Sequence, residues 1–225
     1  MPAPPPEIEY AYPDQSVWTT RLDSHGDPDN PLLRLAAILF GRAGLSWHGK
    51  AYPAARMFEY LRDGTAPFSM LVAAPVLGQC CLLSKAPVAV AELRIYRKAD
   101  HPPIRSRADL AGTSVATIRG YSYASLADFL GDRGNRVTNL VAVKHEAAFA
   151  MLQRGWAEYV IDYSGPAEEV LATQPIADVR YDILSRQDVY LVLSKGYPDA
   201  PQVMARLEAV AATLDVPAIL AGPDP

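Results

Sequence analysis

Cysteine is nearly absent from this chain: among 225 residues there are two, the neighbours Cys80 and Cys81. Adjacent Cα atoms lie about 3.8 Å apart across a trans peptide, below the usual disulfide span. A staple between distant elements is therefore not expected, and the pair is expected to pack as small apolar groups that leave the redox compartment open. Histidine is scarce as well. His25, His48, His101 and His145 fall in four separate segments without metal-ligand spacing, which argues against a metal site. There is no long hydrophobic run; the longest, Met70 to Val76, falls far short of the ~20 residues a membrane helix needs. Nor is there an excess of positive charge, with 21 basic against 25 acidic residues, so nucleic acid is not an expected partner. No positive cluster followed by an apolar stretch opens the chain, so no secretory signal is visible in Met1-Pro-Ala-Pro-Pro-Pro. Two readings stay open there: a cytoplasmic protein, or a mature segment with a replacement methionine. The tether-like proline run favours the second. No internal repeat of solenoid period is present.

What is present is globular composition, with half of the residues hydrophobic and a fifth charged, in a length that suits one large domain or two small ones. Glu7 to Ala11 alternates like a first strand. Asn30 followed by Pro31 marks a helix start, and the apolar face from Leu32 to Phe40 ends at Gly41 and Gly44. A short strand over 45–52, a helix from Pro53 to Gly64, a strand over 70–74, an extended segment over 82–86 and a long β run over 88–96 follow. His101-Pro102-Pro103 interrupts the chain, and a boundary is placed near 96–103.

The segment Asp109 to Tyr163 organises the rest. Ser114 to Ile118 reads as a strand, Arg119 to Tyr123 as a turn, and Leu126, Phe129 and Leu130 as a helix face. A strand over 137–143, a helix over 146–154 ended by Gly155, and a strand Tyr159-Val-Ile then deliver Asp162 at a carboxyl end. Alternating strands and helices imply parallel pairing, and such sheets take ligands beyond their strand C-termini. Further on come a helix within 163–173, short strands over 181–184 and 189–193, and a final helix over 200–214.

Several motifs invite chemistry. Gly44 to Lys50 matches most of a phosphate loop, but Ala51 stands where a metal-binding hydroxyl is needed and the flanking elements are in the wrong order. Gly120-Tyr-Ser122-Tyr-Ala124 approaches a nucleophile elbow, yet hydrolases of that type place histidine after the acid, and no histidine follows His145. Anion binding by backbone N–H groups and Ser122 suits the turn better; an ordinary N-cap serine is the plain alternative. His145 opens a helix at a strand edge, where it either faces a crevice or sits in solvent. Asp162 either accepts from a cationic ligand group or caps the next helix. Tyr12, Trp18, Tyr121 and Tyr123 are suited to stacking on a ligand or to plain packing.

Taken together, Ala108-Asp-Leu-Ala-Gly-Thr-Ser-Val-Ala, Arg119-Gly-Tyr-Ser-Tyr, Ala147 through Asp162-Tyr, Tyr190-Leu-Val-Leu-Ser194-Lys195, and, earlier, Tyr52-Pro-Ala-Ala-Arg56 with Ser84-Lys85-Ala86-Pro87 resemble the family 3 bacterial extracellular solute-binding proteins. The resemblance spans residue 7 to about 214. It implies an α/β periplasmic-binding-protein type II fold of two lobes, each a mostly parallel sheet flanked by helices and joined by two hinge strands. Lobe 1 would comprise 7–96 and 191–225, and lobe 2 would comprise 97–190. It implies a monomeric periplasmic protein without cofactor or catalysis, which binds a small-molecule ligand in the inter-lobe cleft and delivers it to a membrane ABC permease. By matched positions Tyr121, Ser122 and Tyr123 would meet a ligand acid group and Asp162 an amino group, with His145 nearby and Tyr12 and Trp18 contributing from lobe 1. One departure stands out. The region starting at Ala73, also a candidate contact, carries no arginine through Leu83, where amino-acid binders use one to grip the α-carboxylate. The ligand is therefore expected to be something other than a standard amino acid. Alternatives are an enzyme of the cyclohexadienyl dehydratase type on the same scaffold, or a ligand-sensing module.

Overall fold

The computed structural model describes residues 6–26, 29–119, 121, 123 and 126–221. They fall into two compact units: Met1–Ser16, Arg21–Val90 and Asp188–Pro225 in the first, Val17–Thr20 and Ala91–Gln187 in the second. Gly120 and Ser122, singled out from the sequence, lie outside the described residues.

In the first unit, strand β1 (Ile8–Pro13) precedes helix α1 (Pro31–Ala43), whose start and stop follow from its ends. The Asn30 side chain accepts the N–H of Leu32 at 2.9 Å, Pro31 occupies the first turn, and Gly44 closes the helix in the left-handed region at φ 64°. Strand β2 (Trp47–Tyr52), helix α2 (Ala54–Asp63) and strand β3 (Phe68–Val72) come next. A short helix α3 (Pro75–Cys80) and strand β4 (Cys81–Leu83) follow. The chain passes into the second unit along β5 (Ala89–Lys98) and returns along β9 (Val179–Ser194), then ends in α7 (Ala200–Ala211) and α8 (Val216–Ala221). The first unit's strand order is β2-β1-β3-β9, with β4 also on β9. Strand β1 runs parallel to β2 and β3, and β9 runs antiparallel to β3 and β4. Its core packs Phe40 edge-on against Phe68 at 4.8 Å and stacked on Trp47 at 5.4 Å; Met57, Leu61, Leu77 and Val192 form a second cluster.

The second unit contains β6 (Ser114–Ile118), α4 (Leu126–Gly131), β7 (Thr138–Ala142), α5 (His145–Gln153), β8 (Tyr159–Tyr163) and α6 (Ser164–Thr173). Its strand order is β9-β5-β8-β6-β7, with β6 parallel to both β7 and β8, and β5 antiparallel to β8. Helix α5 covers the sheet. Phe149 meets Tyr96 edge-on at 5.1 Å, and Ile118, Leu152 and Val160 belong to the same cluster.

Some elements differ from the sequence reading. The strands expected at 181–184 and 189–193 are one strand of 16 residues, β9. Its polar stretch reads as a break, but those residues are held by charges on β5: Arg97 donates to Asp182 at 2.9 Å and Arg186 to Glu92 at 2.9 Å. Asp162 is the fourth of five residues inside β8 rather than beyond a strand's end. The short helices α3 and α8 carry too few turns for a periodic signal. Helix α8 is fastened instead by Arg34, which donates to the carbonyls of Ile219 at 3.3 Å and Leu220 at 2.8 Å.

Candidate ligand-binding site

Period-two alternation on β8 places Val160 and Asp162 on the same face, and i, i+4 spacing on α5 places His145 and Phe149 on the same side of the helix. Phe149 and Val160 share the second unit's core cluster. One step toward the N-terminus of α5 and the C-terminus of β8, the same packing brings His145 to Asp162. His145 Nδ1 lies 2.7 Å from Asp162 Oδ2, and the other carboxylate oxygen accepts the N–H of Tyr163 at 2.8 Å. Asp162 is 0% exposed, so both of its oxygens are engaged inside the protein.

Aromatic residues surround the pair. The Tyr121 hydroxyl lies 3.3 Å from His145 Nε2, on the side of the ring away from Asp162. Tyr123, in the left-handed region at φ 48°, turns its hydroxyl inward, where it accepts the N–H of Ile118 at 2.7 Å and donates to the carbonyl of Ile161 at 3.3 Å. A side chain anchored on the end of β6 and the middle of β8 holds an otherwise unfavourable backbone conformation. The Tyr163 ring is edge-on to Tyr121 at 5.6 Å and nearly parallel to Tyr123 at 6.5 Å.

Electrostatics follow from this enclosure. Burial pushes the Asp162 carboxyl above the usual carboxylate value, and the hydrogen bond and charge of His145 pull it partly back. Burial, together with the neighbouring carboxylate, raises the hydroxyls of Tyr121, Tyr123 and Tyr163, so all three stay uncharged at neutral pH. Among the described residues no group of three histidine, cysteine, aspartate or glutamate side chains could hold a metal ion.

The segment Val17–Thr20 belongs to the second unit, which places Trp18 there rather than on lobe 1 as expected. Glu169 of α6 holds the segment: it accepts from the Thr19 hydroxyl at 2.8 and 3.0 Å, from the Thr20 N–H at 2.6 Å and from the Thr20 hydroxyl at 2.8 Å. Gly165 lets the strand of chain approach, since a β-carbon there would stand 2.2 Å from the Trp18 carbonyl oxygen.

The sequence candidates thus divide. Tyr121, Tyr123, His145 and Asp162 come together in the second unit. Tyr12 and Ala73 belong to the first: Tyr12 is buried in β1 beside the Tyr10 ring at 5.6 Å, and Ala73 is exposed just after β3. Sequence reasoning passed over Tyr163, Thr19, Thr20 and Glu169. Tyr163 adjoins a singled-out aspartate, a signal that could have found it; the threonines and Glu169 carry no local motif.

No family model matches the chain, and no curated protein matches it. Solved structures do. A histidine kinase sensor domain with similarity to periplasmic binding proteins superposes with a TM-score of 0.71 at 17% identity, covering 96% of this chain and 94% of that one. An ancestral arginine-binding protein bound to arginine gives 0.67 at 16% identity, with 92% and 91% covered. A double mutant of the VFT2 domain of Bordetella pertussis BvgS gives 0.65 at 16% identity, with 95% and 91% covered. At such identities the likeness is one of fold, and the fold is the two-lobed α/β architecture of type II periplasmic binding proteins.

Proposed function

We propose that this chain recognises a small solute without transforming it and, in the periplasm, delivers it to a membrane ABC permease. The observation that carries the reading is the His145–Asp162 pair, formed between α5 and β8 of the second unit and enclosed by Tyr121, Tyr123 and Tyr163, on a scaffold shared with solute-binding proteins. A non-catalytic role is supported by the same geometry. The group facing the outer nitrogen of His145 is the Tyr121 hydroxyl, whose raised pKa makes it a poor nucleophile, and the carboxylate behind it has no exposed surface. Native mass spectrometry of protein purified from its own host is expected to show a retained small molecule released on denaturation. Persistent absence of any such mass, with no shift in melting temperature across a broad metabolite panel, would defeat the reading.

The likeness to a histidine kinase sensor domain and to the BvgS VFT2 domain favours a second reading, in which solute binding is passed to a signalling partner. Crosslinking in host membranes separates the two. Capture of a permease supports delivery, and capture of a kinase supports sensing.

A further inference from the structure

We infer that His145 occupies, from within the protein, the position at Asp162 that a ligand's cationic group would need, so that the solute is an acidic or neutral molecule lacking a basic nitrogen. The inference rests on the solute-binding reading and goes further by naming the class of solute. Asp162 has two oxygens. One is 2.7 Å from His145 Nδ1, the other accepts the Tyr163 N–H at 2.8 Å, and the residue has no exposed surface. An ammonium group could reach the carboxylate only by expelling the imidazole, and its buried ring N–H would then lose its acceptor. Among the described residues the other carboxylate that bears on Asp162 is Glu146, in the first turn of α5, and the hydroxyls around the pair add no charge. The three tyrosine hydroxyls are uncharged, and that of Tyr123 already uses both roles, accepting from Ile118 and donating to Ile161. The edge that remains is the outer side of the imidazole, where Nε2 and the Tyr121 hydroxyl sit 3.3 Å apart, and His145 retains 13% side-chain exposure. With its Nδ1 hydrogen given to Asp162, the neutral imidazole accepts the Tyr121 hydroxyl hydrogen at Nε2, and a ligand acceptor at this edge competes for that hydroxyl hydrogen without drawing on Asp162. An ammonium carries only donors, whereas a carboxylate or carbonyl carries only acceptors.

The test uses matched pairs that differ only in the amine: L-phenylalanine against 3-phenylpropionate, and L-glutamate against glutarate, titrated calorimetrically into the intact protein. The expected result is tighter binding of the deamino member of at least one pair, by about tenfold or more. His145→Ala, which uncovers Asp162, should reverse that preference toward the amine. Equal or tighter binding of the amino acid by the unaltered protein would overturn the inference while leaving solute binding intact. Silence from both pairs in both proteins would count against it as well. A second measurement needs neither a ligand nor a variant. In ¹⁵N-histidine-labelled protein, a downfield Nδ1 proton on one imidazole with slow exchange supports the His145–Asp162 bond. Four freely exchanging histidines would overturn the inference and leave the solute-binding reading standing.

Discussion

The carbonyl oxygen of Trp18 stands 2.2 Å from where a β-carbon on Gly165 would be, so this glycine and this turn of chain fit only as a pair. Gly165→Ala must push Val17–Thr20 away from α6 or bend the helix, at a cost of about 1–3 kcal/mol. Hydrogen exchange should show the Thr20 amide, now hydrogen-bonded to Glu169 at 2.6 Å, losing protection while the amides of β6 keep theirs. Unchanged protection at Thr20 would contradict the geometry.

The pairing of His145 with Asp162 carries a pH signature. Asp162 has its folded pKa raised above the ordinary 3.8, mainly by burial, so the folded chain holds this proton more tightly than the unfolded one. Its contribution to stability is complete below the ordinary value and is lost as pH rises through the folded value. His145→Gln removes the bond and charge that moderate the shift. The destabilisation it causes should therefore be small near about pH 4 and grow to about 3 kcal/mol near pH 7, as an unpaired buried charge. Urea unfolding of both proteins across that range measures it; a penalty independent of pH would show that the pair does not titrate in this way.

Tyr123 is expected to matter for the backbone more than for its ring. Tyr123→Phe leaves the buried N–H of Ile118 without its 2.7 Å acceptor, which costs about 1–3 kcal/mol. Because the aromatic ring remains, a loss of this size in denaturant midpoint assigns the effect to the hydroxyl. A change below about 0.5 kcal/mol would mean that water replaces it.

The two cysteines should react very differently. Burial pushes the Cys81 thiol up to about 12, and its sulfur lies 3.8 Å from the Leu61 carbonyl oxygen, whereas Cys80 is half-buried. Thiolate is the reactive form, so a disulfide reagent at neutral pH should label Cys80 in the native protein and Cys81 only on unfolding. Simultaneous labelling of both would argue against this burial.

How much of this was legible in the sequence varies with the range of the forces involved. The Asn30-Pro31 start, the Gly44 stop and the strand Ser114–Ile118 were readable because caps and β-branched runs act within a few residues. The continuity of β9 was not, because polar residues in its first half are satisfied across strands, by Arg97 and Glu92, partners some 85 and 94 positions away. Asp162 and His145 were each singled out, but not as partners. Seventeen residues separate them, and their meeting depends on helix α5 lying over β8. The docking of Val17–Thr20 on Glu169 joins residues about 150 apart, through a loop with no periodicity to read.

Strand β9 ends in the first unit, and the first unit also needs α7 and α8, so β1 to β4 are synthesised before the second unit while their unit is completed only after it. By the time Gln187 has been made, the second unit has every residue it requires, including the Val17–Thr20 segment made long before, whereas β1 and β3 are still waiting for the antiparallel partner between them and β5. During synthesis the amino-terminal strands therefore remain an open edge until Val189 to Leu193 arrives, and that interval is when the nascent chain is most exposed to wrong strand pairing.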